Sequence, residues 1–210
     1  MSSTPEETDL VRVVLADANV LYSRVLRDYL LYAADQEIIA ITWSAQILDE
    51  VTEHLVRNVA GFDRAAGERL VHAMNRAFPF AAVEPGAAHL RLLDEVLHQV
   101  ALPDEDDRHV VAAAIAAEAT VLCTSNVKDF PAEIMEVLGL EVLTPDQLLS
   151  RLVTEYEVQM YAAHRTAVAS LKGATDQSTV EALRRAGAST TAGLMIHLLE
   201  HVSAHQSEGS

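Results

Sequence analysis

Four consecutive acids, Asp104-Glu105-Asp106-Asp107, stand just ahead of the apolar run Val110-Val111-Ala112-Ala113-Ala114. Acids at a helix start complement the macrodipole, and Asp106 is a good N-cap, so a purely structural role is available. One cap does not require four acids. Carboxylates held together raise one another's pKa unless a cation neutralises them, and a hard divalent metal with oxygen ligands would do that. Asp107 is in register with Val110, Val111 and Ala114, so it leans towards the packed side of its helix. Asp17 follows directly on the apolar run Val13-Val14-Leu15-Ala16. It reads either as a turn or helix cap or as a reactive group at a sheet edge. Asn19 is either the N-cap of the next helix or a group that orients Asp17. Glu50 lies roughly 60° around its helix from Ile47. That puts it at the border of the stripe Ile47, Leu48, Val51 and Leu55, where a glutamate is either solvated or turned into a site. His54, one turn further along the same side, reads as a surface or supporting residue.

These acids need elements to hold them. Val11–Ala16 reads as a short buried strand ending at Asp17, followed by a helix from about Val20 to Ala34. Glu37–Trp43 is a second strand. Ser44 caps the helix Ala45–Asn58, Gly61 ends it, and Asp63 caps Arg64–Ala77. Phe80–Val83 is a third strand and Pro85–Val100 another helix. Asp107–Ala119 is expected to be helical and Thr120–Thr124 a strand. Pro131–Leu138 is a short helix stopped by Gly139, and Leu140–Leu143 a last strand. Strands alternating with helices predict a parallel sheet covered on both faces, with sites beyond the carboxyl ends of the strands. Polar residues follow the fourth strand in Thr124-Ser125-Asn126-Val127-Lys128-Asp129, as they commonly follow any strand. From Thr144-Pro145 the pattern becomes helical. One long helix is expected to about Lys172, with Leu149, Leu152, Tyr156, Met160, Ala163, Ala167 and Leu171 on a face. Two shorter helices follow near 178–186 and 189–204, and residues 207–210 form a polar tail. Residues 1–9 are polar.

Composition bounds the chemistry. Half of the 210 residues are apolar and 5% are aromatic, so aliphatic side chains must fill the core. Cys123 is the only cysteine, which excludes an internal disulfide and a thiolate metal site. It sits in an apolar run and reads as a buried side chain. No apolar stretch approaches the ~20 residues of a membrane span, and MSSTPEETDL lacks signal-peptide character. A soluble, cytoplasmic protein is the expectation. The formal charge of −16 lacks the basic footprint usual in nucleic-acid binders and suits a basic partner protein.

Four segments in order resemble the PIN-domain nucleases, a family that includes the toxins of bacterial VapBC-type toxin–antitoxin pairs. They are Leu15-Ala16-Asp17-Ala18-Asn19-Val20-Leu21-Tyr22; Trp43-Ser44 leading to Ile47-Leu48-Asp49-Glu50-Val51; Pro103-Asp104-Glu105-Asp106-Asp107-Arg108-His109-Val110-Val111-Ala112-Ala113-Ala114; and Thr124-Ser125-Asn126 with Lys128-Asp129-Phe130-Pro131. The resemblance covers roughly residues 10–149, and 150–204 would form a helical C-terminal extension. It implies a three-layer α/β/α fold whose parallel sheet has the order 3-2-1-4-5. It makes Asp17, Glu50 and Asp107 the catalytic acids around Mg²⁺ or Mn²⁺, with Asp104 and Asp129 as supplementary ligands. The family's fourth acid is replaced here by Asn126, which with Asn19 would orient groups or position water.

The implied reaction is metal-dependent hydrolysis of RNA, with Arg24, Arg27, Arg108 and Lys128 as the nearest basic side chains to steer the backbone. A toxin restrained by an antitoxin is the leading biological expectation, beside a housekeeping RNA-processing nuclease and a non-catalytic partner-binding module. The C-terminal helices either form a homodimer or antitoxin interface or pack their apolar face on their own domain.

Overall fold

The computed structural model describes residues 12–98 and 102–208. Residues 1–9, Val11 of the expected first strand, the last two residues of the expected helix 85–100, and the end of the polar tail lie outside that range. Five strands make one parallel sheet: β1 (Arg12–Ala16), β2 (Ile39–Ser44), β3 (Ala82–Val83), β4 (Val121–Cys123) and β5 (Glu141–Leu143). Their order is β3-β2-β1-β4-β5, as the resemblance implied. Val14, Leu15 and Ala16 of β1 and all of β4 are buried, as expected of central strands covered on both faces.

Because the chain leaves β1 for β2 on one side and returns to β4 on the other, β1 and β4 flank the topological switch point. Ala16 pairs with Cys123, and the Asp17 amide donates to the Cys123 carbonyl at 3.0 Å. The residues that follow these two strands, Asp17 and Thr124, are thereby set side by side at the carboxyl edge.

The first expected helix is divided into α1 (Ala18–Leu21) and α2 (Arg24–Asp35). Asp17 caps α1 and Ser23 begins α2, so the single helix from Val20 gives way to a short turn of helix anchored on the strand end. Helices α3 (Ala45–Asn58) and α4 (Arg64–Ala77) have the expected bounds. Ser44 accepts from the Ile47 amide, Asp63 accepts from the Ala66 amide, and Gly61 at φ 80° supplies the left-handed turn between them. Helix α5 (Ala87–Leu97) precedes a 3₁₀ turn, Glu105–Asp107, and α6 (Arg108–Ala116). Asp106, expected to cap this region, does not. Asp104 accepts from the Asp106 amide and caps the turn, and Asp107 is the first residue of α6's N-terminal boundary. Helix α7 (Ala132–Leu138) ends at Gly139, whose φ is 68°.

The long helix expected to Lys172 is two helices, α8 (Pro145–Glu155) and α9 (Glu157–Ala169), broken at Tyr156 with φ −134° and ψ 55°. No glycine or proline causes the break. It comes from packing, since α8 lies against β5 and α11 while α9 turns to lie along α2. Leu171, expected on the apolar face, falls beyond the end of α9 and is exposed. Helices α10 (Asp176–Arg185) and α11 (Ser189–Glu208) complete the chain. Met160, Ala167, Val180, Leu183, Ala192 and Met195 join the same continuous core as the sheet. The apolar face of the extension is therefore packed on its own chain. A buried polar contact crosses that junction: Tyr29 Oη and His164 Nδ1 are 2.5 Å apart, and His164 Nε2 is 3.2 Å from Asp176 Oδ1.

Candidate active site

Asp17 is 5% exposed, and its carboxylate is held from three sides. Its Oδ1 accepts from the Ala18 amide at 2.6 Å, and its Oδ2 accepts from Thr124 Oγ1 at 2.7 Å and from the Asn19 side-chain amide. Asn19 also donates to Thr124 Oγ1 at 3.0 Å and accepts from the Ser125 amide at 2.8 Å. Of the two sequence readings of Asn19, the orienting one holds, because Asp17 itself caps the helix. Thr124 in turn accepts from the Asn126 amide at 3.1 Å. The ends of β1 and β4 are thus tied through side chains as well as through the ladder. Burial pushes the Asp17 carboxyl up, against the hydrogen bonds from Thr124 and Ala18 that stabilise its charge.

Around Asp17 lies an open cleft of about 300 Å³ lined by Asn19, Tyr22, Glu50, His54, Asp107 and Asn126, among others. Helix α6 runs back along the sheet, so its N-terminal end brings Asp107 to the carboxyl edge. Partial burial, then the charges of Asp17, Asp104 and Asp129, push the Asp107 carboxyl up to about 6. Glu50 is raised as well, by burial first and then by Asp17 and Asp107, while His109 works against the shift. The three acids named from the sequence are therefore one electrostatic unit.

His109 spans α6 and α3. Its Nδ1 lies 2.6 Å from the Asp106 carbonyl, and its Nε2, closed off from solvent, lies 3.0 Å from Glu50 Oε1. The pair is within ion-pair distance but is not aligned as a hydrogen bond.

The basic residues fare differently. Arg27 is buried and donates to the Leu21 carbonyl at 2.7 Å, so its guanidinium serves the α1–α2 turn. Arg24 faces Asp28 at 3.4 Å, and Arg108 pairs with Asp94. Lys128 is exposed in the 3₁₀ turn Val127–Asp129. Arg57, not singled out from the sequence, lines the cleft directly.

Thr124, His109 and Arg57 are the residues that the sequence reading missed. Thr124 had a signal, since it follows β4 by one residue as Asp17 follows β1. Arg57 had one too, being two helical turns from Glu50 and hence on its face.

Among the described residues no three His, Cys, Asp or Glu side chains converge into a ready-made metal cage. The donor chemistry still fits a hard cation. Mg²⁺ is commonly held by one or two carboxylates, with water and phosphate oxygens completing its shell. Asp17 and Asp107 offer two such carboxylates, and the mutual repulsion felt by Asp107 is what a cation would relieve.

Fold and site together define an α/β protein with an acidic cleft at the switch point of its parallel sheet. A family model described as a PIN domain matches residues 12–128, more than half of the chain, and the chain belongs to the PIN-domain family. PIN domains are typically nucleases and generally use divalent metal ions. No curated protein and no solved structure matches the chain. Among the described residues, no helix is long and apolar enough to cross a membrane.

Proposed function

We propose that the chain is an endoribonuclease that hydrolyses RNA phosphodiester bonds with Mg²⁺ or Mn²⁺. The observation that carries this reading is the buried, fully oriented Asp17 carboxylate facing Asp107, whose acid is pushed up to about 6. Acids with raised pKa that share one cleft are found preferentially at functional sites. Asp17 and Asp107 would hold the ion, with Asp104 and Asp129 supplementing the negative field. Such an ion, when bound, polarises the scissile phosphate and lowers the pKa of a coordinated water. Thr124 and Asn19 fix the Asp17 oxygens so that no reorganisation is needed. Glu50, with its acid raised, is suited to take a proton from the attacking water, and His109 favours the ionised carboxylate that Glu50 presents before it does so. The Asn126 side chain, uncharged, could orient water in the cleft.

RNA rather than DNA as substrate rests on the family resemblance. Within that reading, a toxin restrained by an antitoxin is favoured by the net charge of −16, which suits a basic partner reaching the acidic cleft. Growth arrest on expression, relieved by a neighbouring gene's product, would support the toxin; unimpaired growth would support an RNA-maturation role. Asn126, uncharged where the family usually has a fourth acid, favours one rival, a partner-binding module without catalysis. Isothermal titration of Mg²⁺ and Mn²⁺ into wild-type protein and Asp17→Asn separates them, since the module takes up neither ion.

A further inference from the structure

Tyr22, at the end of α1, and His54, on α3, are stacked with ring centroids 3.9 Å apart and planes 13° from parallel. Both are half-buried, and both line the cleft that holds Asp17 and Asp107. On α3 the cleft wall is made by Glu50, Glu53, His54 and Arg57, a spacing that keeps all four on one helical face. At the helical rise, Arg57 stands roughly 10 Å along the wall from Glu50. It is exposed. Among the described residues it has no hydrogen bond or ion pair. The wall therefore passes from an acidic end, over an aromatic pair, to a free cation.

Tyr22 is partly buried against the core, but the contact between α1 and α3 does not depend on its stack with His54. Leu21, Ile47, Leu48 and Val51 are already buried beneath α1 and α3 and close the contact between them. A half-exposed aromatic stack beside a phosphate-cleaving site, with a guanidinium beyond it, matches how unpaired nucleotides are held. Their bases stack on aromatic rings, while cations take the backbone. We propose that Tyr22 and His54 form a nucleobase platform in the cleft and that Arg57 contacts a neighbouring phosphate. The inference rests on the nuclease reading of the same cleft. A base inside a duplex is stacked on its neighbours and offers no free face to the pair.

The test is binding of a fluorescein-labelled single-stranded adenylate heptamer to the full chain in EDTA, where cleavage is suppressed, followed by anisotropy. Its abasic counterpart and the heptamer annealed to its complement serve as comparison probes. His54→Ala should weaken heptamer binding about tenfold, in line with the loss of one base stack. His54→Phe should restore it, because stacking survives in a ring without charge or hydrogen bonds. The abasic probe should bind wild type weakly and be indifferent to His54→Ala, the duplex should compete poorly, and Arg57→Ala should weaken binding and flatten its salt dependence. Unmeasurable heptamer binding to wild type, or equal binding of heptamer and abasic probe, or a folded His54→Ala variant that binds like wild type, would overturn the platform. RNA cutting with no His54 dependence of binding sinks this inference alone. His54-dependent binding without metal-dependent cutting sinks the nuclease reading and leaves the platform standing.

Discussion

Thr124 donates its hydroxyl to Asp17 Oδ2 at 2.7 Å, across the junction where β1 and β4 end together. The bond exists because the ladder pairs Ala16 with Cys123, so the next residue on each strand meets its counterpart at the switch point. A carboxylate 5% exposed cannot find its orientation from water, and Thr124 and Asn19 supply it instead. Thr124→Val keeps the shape and removes the hydroxyl. It should lower metal-dependent cleavage by roughly 10- to 100-fold, as loss of a group orienting a ligand does. Unfolding in urea should show a cost of about 1–3 kcal/mol, since the Asn126 amide and the Asp17 oxygen both lose a partner. Unchanged cleavage would remove Thr124 from the machinery.

Asp107 gives the metal-free protein a characteristic pH dependence. Its carboxyl is pushed up to about 6 in the folded chain, against about 3.9 when unfolded. The folded state therefore binds the proton more tightly. Its contribution to stability is complete below the unfolded value and is lost as pH rises through 6. The group is only partly buried and solvent screens it in part, so the effect is modest. The melting temperature in EDTA should fall between about pH 4 and pH 7, less so in Asp107→Asn, and Mg²⁺ should offset the fall above pH 6. A variant with the same slope as wild type would show that Asp107 does not carry it.

His109 opposes the upward shift of both Glu50 and Asp107. His109→Ala should leave those carboxyl groups protonated to higher pH. The acidic limb of the cleavage profile should move upward, with a drop of about tenfold at neutral pH. A profile lowered uniformly, with no movement of its limb, would assign His109 a packing role only.

The extension is fastened by Tyr29, His164 and Asp176, which are satisfied together by a neutral ring with its proton on Nε2. Burial lowers the His164 pKa, consistent with that neutral form. Tyr29→Phe should cost about 1–3 kcal/mol in urea unfolding by stranding Nδ1, while cleavage per folded molecule stays at the wild-type rate. Loss of activity at full stability would tie this junction to the cleft.

What could be read from sequence followed from how local its cause was. Helices α3 and α4 start and stop where Ser44, Asp63 and Gly61 dictate, and those are local signals. Asp17 stood out because it ends a buried strand. The break at Tyr156 left no mark, because it is imposed by two different packing partners on α8 and α9. Thr124 and His109 gain their meaning from contacts with Asp17 and Glu50, distant in the chain and visible only once β4 and α6 are set beside β1 and α3. Arg27 looked free to meet RNA, yet its guanidinium is spent on the Leu21 carbonyl.

The account stands most directly on cleavage of a mixed RNA pool by purified protein in Mg²⁺, Mn²⁺ or EDTA, beside Asp17→Asn and Asp107→Asn. Fragments should form with either metal, vanish in EDTA, and be lost in both variants while their circular dichroism stays that of wild type. Cutting that persists in EDTA, or at full rate in a clean preparation of Asp17→Asn, would contradict it.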